Sequence, residues 1–249
     1  MQFYDINAYI GCPTLAASGA VSAAGELLAV MDRSGISKAL VWHIMQQSVS
    51  APDGNTLLAK MIGGQERLPG CWTILPPQTG EIITANFFRG MSDAGVCALR
   101  AMPDMHGYQL NRTVFGAFFD EVSQRRIPLL LSLERGVTWP HLYDFLNSYP
   151  EITVVICDVG IWGQDRQFWP LLERYPRVFV ETSLVSMEAG GLMAGVRRFG
   201  AGRFLFGSGF PVRYPEAAML DLLHADISAD DKELIAHTNF EKLIAEVQL

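Results

Sequence analysis

The sequence predicts an α/β fold, a single-domain (β/α)8 barrel of the TIM-barrel type that spans residues 1–249. Three observations lead to this prediction. Short apolar runs occur eight times along the chain, segments with helical spacing lie between them, and the length of 249 residues is that of one such barrel. An open, doubly wound sheet is the alternative. However, the first strand leads into NAYIGCPT and not into a G-x-G-x-x-G turn.

The predicted strands are apolar runs rich in β-branched, aromatic or leucine residues, which are typical of buried strands. They cover residues 2–6, 38–43, 70–75, 95–101, 127–133, 152–158, 177–182 and 202–208.

Between the strands, apolar residues recur at the spacing of amphipathic helices. The predicted helices cover Ala23–Ser34, Asn55–Ile62, Glu81–Ser92, Thr113–Gln124, Trp139–Ser148, Gln164–Arg174, Met187–Phe199, Pro215–Ala225 and Asp230–Val247. The first is followed by Gly35 and the second by Gly63, and glycine at such positions commonly ends a helix. No linker, low-complexity tract or repeat divides the chain, so we expect one domain.

The composition excludes several classes of partner. A net charge of −7 argues against nucleic acid and anionic membrane surfaces, because binding phosphate requires clustered Lys and Arg. No apolar run approaches the roughly 20 residues that span a bilayer, and MQFYDINAYIG has no secretion signal pattern. The four cysteines lie far apart without a C-x-x-C pair, which favours free thiols in a reducing compartment. We therefore expect a cytoplasmic protein.

Polar residues occur at the ends of most predicted strands. In a barrel of this type the active site lies at the C-terminal strand ends, so these residues are candidates for the site. They are Asp5, Asn7 and Tyr9 in strand one, His43 in strand two, Arg100 in strand four, Ser132 and Glu134 in strand five, Asp158 in strand six, Glu181 in strand seven and Ser208 in strand eight. Because strand residues alternate, Asp5, Asn7 and Tyr9 are expected to face the same side. An unpaired buried charge is costly, so Arg100 is expected to contact one of the carboxylates that end strands five to seven.

Two features next to these strand ends complete the candidate pocket. Trp162, in GIWGQDRQFW after strand six, is a candidate to line it. Gly207-Ser208-Gly209 follows the last strand, and its backbone N–H groups could bind an anion there.

Several phrases, in order along nearly the whole chain, resemble the metal-dependent amidohydrolase superfamily, in particular its amidohydrolase-related branch with decarboxylases of aromatic carboxylic acids. FYDINAYIG is similar to an opening strand that normally reads Asp-x-His-x-His, and ITVVICDVG stands where the family has a strand ending in His-x-Gly. DRSGISKALV, ERLPGCWTILP and RVFVETS resemble the second, third and seventh strands. GAGRFLFGSGFP matches a strand that normally ends Phe-Gly-Ser-Asp-x-Pro, and HTNFEKLI resembles the closing helix.

The resemblance implies a single divalent metal held by two histidines of strand one, one histidine each on strands five and six, and the aspartate of strand eight. The corresponding positions here are Asn7, Tyr9, Ser132, Asp158 and Gly209. Of these, only Asp158 is an ordinary strong ligand, and Gly209 also removes the family's proton acceptor. We therefore expect no metal and no cofactor, and no hydrolysis by the family's metal mechanism.

Two classes of function remain. The first is a small-molecule-binding pseudoenzyme or a metal-independent enzyme, with acid–base groups at Asp158, Glu181 and His43. Arg100 would then bind an anionic group of the ligand or hold a carboxylate ionised. The substrate-binding candidates are Asn7, Tyr9, Arg100, Ser132, Glu134, Trp162, Ser208 and Gly209.

The second class is an active hydrolase or decarboxylase that acts on a small carboxylic acid with Asp158, Glu181, His43 and Arg100. A relocated metal held by Asp158, Glu181 and Glu134 is a variant of that hypothesis. The expected partner in either class is a small molecule, and a homodimer is compatible with the sequence.

Overall fold

The computed structural model describes residues 1–12, 19–160, 163–185 and 191–249. Within these ranges eight parallel strands pair in chain order, each with the next, which confirms the predicted barrel. The strands are β1 (Phe3–Ile10), β2 (Ile36–His43), β3 (Gly70–Thr73), β4 (Val96–Ala101), β5 (Leu129–Ser132), β6 (Val154–Cys157), β7 (Val178–Glu181) and β8 (Phe204–Leu205).

Helices follow the strands on the outside of the sheet. They are α1 (Ala24–Ser34), α2 (Met45–Ser48), α3 (Ala51–Ile62), α4 (Phe87–Asp93), α5 (Pro103–His106), α6 (Arg112–Phe115), α7 (Phe118–Gln124), α8 (Trp139–Ser148), α9 (Asp165–Arg174), α10 (Gly191–Phe199), α11 (Pro215–His224), α12 (Ala229–Glu233) and α13 (Asn239–Ala245).

The structure differs from the predicted helices at a few points. The helix predicted over residues 113–124 is divided into α6 and α7 by Gly116, whose φ of 49° does not continue a helix. The helix predicted from residue 81 begins at Phe87. The last predicted helix is continuous from α12 to α13 and contains a π turn at Leu234–Thr238. Residues 187–190 of a further predicted helix lie outside the described ranges.

Two clusters of buried side chains divide the core. The outer cluster lies between strands and helices, whereas the inner cluster fills the barrel with the alternate residues of the strands. Phe240 and Leu243 of α13 belong to the inner cluster, and Phe240 contacts Tyr4 near the start of β1. In addition, the Asn239 amide donates to the carbonyls of Ala201 and Phe204 at 2.9 and 2.8 Å. The closing helix therefore covers the N-terminal end of the barrel and leaves the C-terminal end for a site.

A register shift against β2 between Asp5 and Ala8 changes the alternation within β1. Before the shift Phe3 packs in the outer cluster, and after it Tyr9 packs in the inner one, although both numbers are odd. The prediction that Asp5, Asn7 and Tyr9 share one face is therefore wrong. The bulge leaves Asp5 on the outer side and turns Asn7 and Tyr9 into the barrel mouth, the region at the C-terminal strand ends.

Hydrogen bonds from β1 to the segment that continues β8 close the barrel. The Ile6 N–H donates to the Phe206 carbonyl at 3.0 Å, and the Tyr9 N–H donates to the Phe210 carbonyl at 3.0 Å. The buried Asp5 carboxylate adds a side-chain bridge, because it accepts the Ser208 N–H at 3.0 Å and the Ser208 hydroxyl. This bridge fixes the turn that carries the residues after β8.

All four cysteines are free thiols. Cys71 and Cys157 lie buried inside the barrel, Cys97 is half-buried, and Cys12 is exposed. None of the helices in the described ranges has the length and apolar character needed to cross a membrane.

We expect Ser208→Ala to lower the free energy of unfolding by about 1–3 kcal/mol. The hydroxyl donates to Asp5 and accepts from the Phe210 N–H at 3.0 Å, so its loss leaves two buried partners unpaired. Urea denaturation measures the change. Ser148→Ala is the control, because that exposed hydroxyl only donates to the Asp144 carbonyl within α8. An equal effect of the two substitutions would contradict the role assigned to Ser208.

Candidate functional site

The candidate site is a cluster of buried polar side chains in the barrel mouth. Its members come from the ends of different strands, as the fold requires for a site of this kind. They are Asn7, Tyr9, Arg100, Ser132, Asp158 and Glu181, each at most 4% exposed.

Asp158 is the centre of the cluster. It follows the interior residue Cys157, so strict alternation would direct it outward, but a left-handed backbone (φ 56°) breaks the alternation. Its Oδ2 accepts the Ser132 hydroxyl at 2.5 Å. Its Oδ1 accepts the Asn7 amide at 3.3 Å and a guanidinium N–H of Arg213 at 3.2 Å. Both carboxylate oxygens are therefore occupied by donors of the protein.

Glu181 is fully buried beside Asp158. Its Oε2 accepts the Asp158 N–H at 3.0 Å and the Asn7 amide at 3.2 Å, and its Oε1 accepts the Ser183 N–H. The side chain fits only because residue 207 is glycine, since a β-carbon there would overlap Cγ and Cδ of Glu181. Burial and, next, the charge of Asp158 raise the pKa of Glu181 to about 7.

The Asn7 amide connects this pair of carboxylates to Arg100. Its Oδ1 accepts an N–H of Arg100 at 2.8 Å, while its Nδ2 donates to Asp158 and Glu181. The expected direct contact between Arg100 and a carboxylate is therefore wrong: the amide lies between them. Arg100 has no exposed surface, and its Nε and one terminal nitrogen have no hydrogen-bond partner among the described residues.

Trp42 and Arg135 also belong to the mouth, although the sequence analysis did not select them. The guanidinium carbons of Arg100 and Arg135 each lie 4.8 Å from the Trp42 ring centroid, and Arg135 also lies over the Tyr9 ring at 5.0 Å. Arg135 donates to the Gln47 side chain at 2.7 Å. Burial and, to a lesser extent, the charge of Arg100 lower the pKa of Arg135. Trp42 is the residue before the last of β2 and faces the barrel interior, so an aromatic residue near the end of a predicted strand was the signal that could have identified it.

Arg213 is the most important residue that the sequence analysis missed. It lies in the loop after β8 and donates to Glu134 at 2.7 Å as well as to Asp158. Gly209, at the start of that loop, has a φ of 68° and donates its N–H to the Asn7 carbonyl at 3.1 Å. Arg213 is the single charged residue of FLFGSGFPVRY, and its place beside a carboxylate-rich mouth was the signal that could have identified it.

Two other candidates, Ser208 and His43, lie apart from this cluster. The Ser208 hydroxyl donates to Asp5 and accepts the Phe210 N–H, so both of its hydrogen bonds lie where β1 meets the segment after β8. His43 ends β2, and its Nδ1 accepts the Met45 N–H at 3.1 Å, while burial lowers its pKa. Among the described residues, no hydrogen bond or ion pair joins His43 to Asp158 or Glu181. Trp162 lies outside the described residues.

The residues present do not fit the metal site that the family resemblance implies. At four of the five ligand positions the groups are weak or absent: an amide at Asn7, hydroxyls at Tyr9 and Ser132, and no side chain at Gly209. At the fifth, each oxygen of Asp158 already accepts a hydrogen bond from the protein. The described part of the chain contains no group of three or more His, Cys, Asp or Glu residues arranged to hold a metal ion. For the relocated site, Arg213 lies between Asp158 and Glu134 and occupies both.

Comparisons with known proteins agree with the fold. A family model described as "Amidohydrolase" matches residues 23–244. No curated protein sequence matches the chain significantly. Among solved structures, the chain is similar to an uncharacterized TIM-barrel protein from Bordetella bronchiseptica, with a TM-score of 0.76, 16% identity and 99% of each chain covered.

Two decarboxylases have similar structures. A 2,6-dihydroxybenzoate decarboxylase from Rhizobium gives a TM-score of 0.73 at 15% identity, with 98% of each chain covered. A 5-carboxyvanillate decarboxylase from Sphingomonas paucimobilis gives 0.74 at 12% identity, with 99% of each chain covered. At these identities the likeness concerns the fold.

We expect the stability of the protein to depend on pH through Glu181. Its pKa in the folded state, about 7, exceeds the ordinary value of 4.5, so the folded chain binds an additional proton between these values. The resulting stabilisation is complete below about pH 4.5 and is lost as the pH rises through 7. Relative to Glu181→Gln, the wild type should therefore become less stable between pH 5 and 8, by at most about 3 kcal/mol.

Urea denaturation of both proteins across this pH range measures the difference. Glu121→Gln, at an exposed carboxylate paired with Arg125, is the control and should show no such trend. A constant difference between wild type and Glu181→Gln at all pH values would contradict the assignment.

Proposed function

Because this chain belongs to the amidohydrolase family, we propose that it uses the family's barrel to bind a small organic anion, without a divalent metal and without hydrolysing the ligand. The observation that carries the proposal is the extensive hydrogen bonding of the Asp158 carboxylate. Ser132, Asn7 and Arg213 donate to its two oxygens. Three of the roughly four acceptor positions of this carboxylate are thus used, which disfavours Asp158 as a metal ligand and as the base that accepts a proton from water.

The proposed ligand is anionic because two arginines of the mouth form no ion pair with the described residues. Of the three arginines there, Arg213 pairs with Asp158 and Glu134. Arg100 instead contacts the Asn7 amide and the Trp42 ring. Arg135 contacts the Gln47 side chain and the same ring. All these groups are neutral, and neither arginine forms an ion pair with a carboxylate of the described residues. Burying such charges unpaired is costly, and an anion bound against them would remove that cost.

The outer of these two arginines would make the direct contact. Arg135 is only partly buried, whereas Arg100 has no exposed surface. An anion that enters the mouth would thus contact Arg135 first, with the Tyr9 and Trp42 rings beside it. The free donors of Arg100 and the buried Ser183 hydroxyl, which also lacks a partner among the described residues, would stabilise negative charge deeper in the mouth.

The similar structures suggest a first ligand to test. One of them is a 2,6-dihydroxybenzoate decarboxylase in complex with 2,6-dihydroxybenzoate, which places a small aromatic carboxylate in a barrel of this fold. The matched neutral compound is resorcinol, the same ring without the carboxylate. A difference in affinity between the two compounds isolates the contribution of the anionic group.

We expect the protein, purified in EDTA, to bind 2,6-dihydroxybenzoate more tightly than resorcinol, as measured by calorimetry and by the change in tryptophan fluorescence. Arg135→Met should weaken binding about tenfold or more, because a charge-assisted hydrogen bond is lost. The control is Arg89→Met, at an exposed arginine of α4 that pairs with Asp93 at 3.8 Å. The fluorescence change should be absent in Trp42→Phe.

Three results would contradict the proposal. They are binding that appears only when a divalent metal is added to the EDTA-treated protein, equal affinity for resorcinol, and the release of resorcinol from the bound carboxylate during incubation. The last result would favour the alternative, an active decarboxylase.

A further inference from the structure

The loop after β8 folds Arg213 back over its own turn. The carbonyl of Gly209 accepts the N–H groups of Val212 and Arg213 at 3.1 and 3.3 Å, which makes the turn tight. As a result, the guanidinium returns to the point at which the turn begins. A β-carbon on Gly209 would lie 2.6 Å from a terminal nitrogen of Arg213. The guanidinium thus occupies the volume that a side chain at position 209 would fill.

From that volume, Arg213 bridges two carboxylates that follow β5 and β6. Its two terminal nitrogens lie 3.2 Å from Oδ1 of Asp158 and 2.7 Å from Oε1 of Glu134. Asp158 is only 3% exposed, and Arg213 is the one cation of the described residues that forms an ion pair with it. An arginine in this place supplies a positive charge to Asp158 from within the chain.

We infer that Arg213 is an internal substitute for a divalent cation, and that removing its side chain uncovers a cation site at Asp158 and Glu134. The inference rests on the proposed metal-free function. Without the guanidinium, two carboxylates would face one space that also borders the Ser132 hydroxyl, and oxygen groups of this kind are the ligands that hard divalent cations prefer. Arg213 is in this sense a positioning residue, which holds Asp158 without a metal.

Gly209 provides a way to complete the uncovered site. Its φ of 68° lies in the left-handed region, which aspartate and asparagine tolerate better than most residues. In an Arg213→Ala background the volume beside position 209 is free, so Gly209→Asp would add a third carboxylate facing the same space. The double variant is therefore expected to bind a cation more tightly than Arg213→Ala alone.

The experiment measures Mn²⁺ binding by calorimetry and electron paramagnetic resonance, and the melting temperature with and without Mn²⁺. We expect the wild type and Arg213→Lys to show no specific binding and no change in melting temperature. Arg213→Ala and Arg213→Ala/Gly209→Asp should bind one Mn²⁺ per chain, at least about tenfold more tightly than the wild type. Their melting temperatures should rise when Mn²⁺ is added, because a ligand of the folded state stabilises it.

Two further variants test the location of the site. Asp158→Asn in the Arg213→Ala background should abolish the gained binding. Arg112→Ala breaks a comparable pair, in which two nitrogens of Arg112 contact Asp120 at 2.7 and 2.9 Å outside the mouth, and it should gain no Mn²⁺ binding. If Arg213→Ala does not fold, Arg213→Gln, which is neutral and larger, takes its place in every comparison.

The outcomes separate this inference from the proposed function. Folded Arg213 variants that bind Mn²⁺ no better than the wild type and Arg112→Ala would overturn the inference and leave the proposed function intact. Specific binding of Mn²⁺ by the wild type at Asp158 would overturn both. Gained binding that survives Asp158→Asn would place the cation elsewhere and would also overturn the inference.

Discussion

The side-chain amide of Asn7 is the contact on which the arrangement of the barrel mouth depends. It accepts from Arg100 with its oxygen and donates to Asp158 and Glu181 with its nitrogen, so one planar group contacts both signs of charge. A carboxylate at this position could not donate, and the two carboxylates would then face a third negative group. An amide is the group that satisfies a buried cation and two buried carboxylates together, and this explains how they coexist without an ion pair to Arg100.

The fold could be predicted from the sequence because its signals are repeated. Eight apolar runs with helical segments between them indicate a barrel even when individual ends are misplaced, and the observed strands fall within or close to the predicted runs. The helices that were predicted differently have local causes. Gly116 interrupts one helix through its positive φ, and a π turn at Leu234–Thr238 lies within the last one, which continues through it. Neither cause alters the hydrophobic pattern that was used for the prediction.

The candidate site could be predicted only in part, because its contacts join residues that are distant along the chain. The strand pattern placed Asn7, Ser132, Asp158 and Glu181 at the C-terminal strand ends, and in the structure these side chains are joined by hydrogen bonds. It did not predict the bulge that separates Asp5 from Asn7, since a single extra residue in β1 leaves composition and periodicity almost unchanged. The contact of Arg213 with Asp158 was not predicted for another reason. The position of Arg213 depends on the geometry of the loop after β8, and the alternation of strand residues carries no information about loops.

The close fit of Glu181 against Gly207 has a consequence for how this barrel can change over evolutionary time. A methyl group at position 207 would overlap the glutamate side chain, so a larger residue there is acceptable only after position 181 has become shorter. A substitution that begins at position 181 is acceptable, because a shorter residue there leaves a cavity beside Gly207 and causes no overlap. The two positions should therefore vary together among homologues and in a fixed order, with the change in β7 preceding the change after β8.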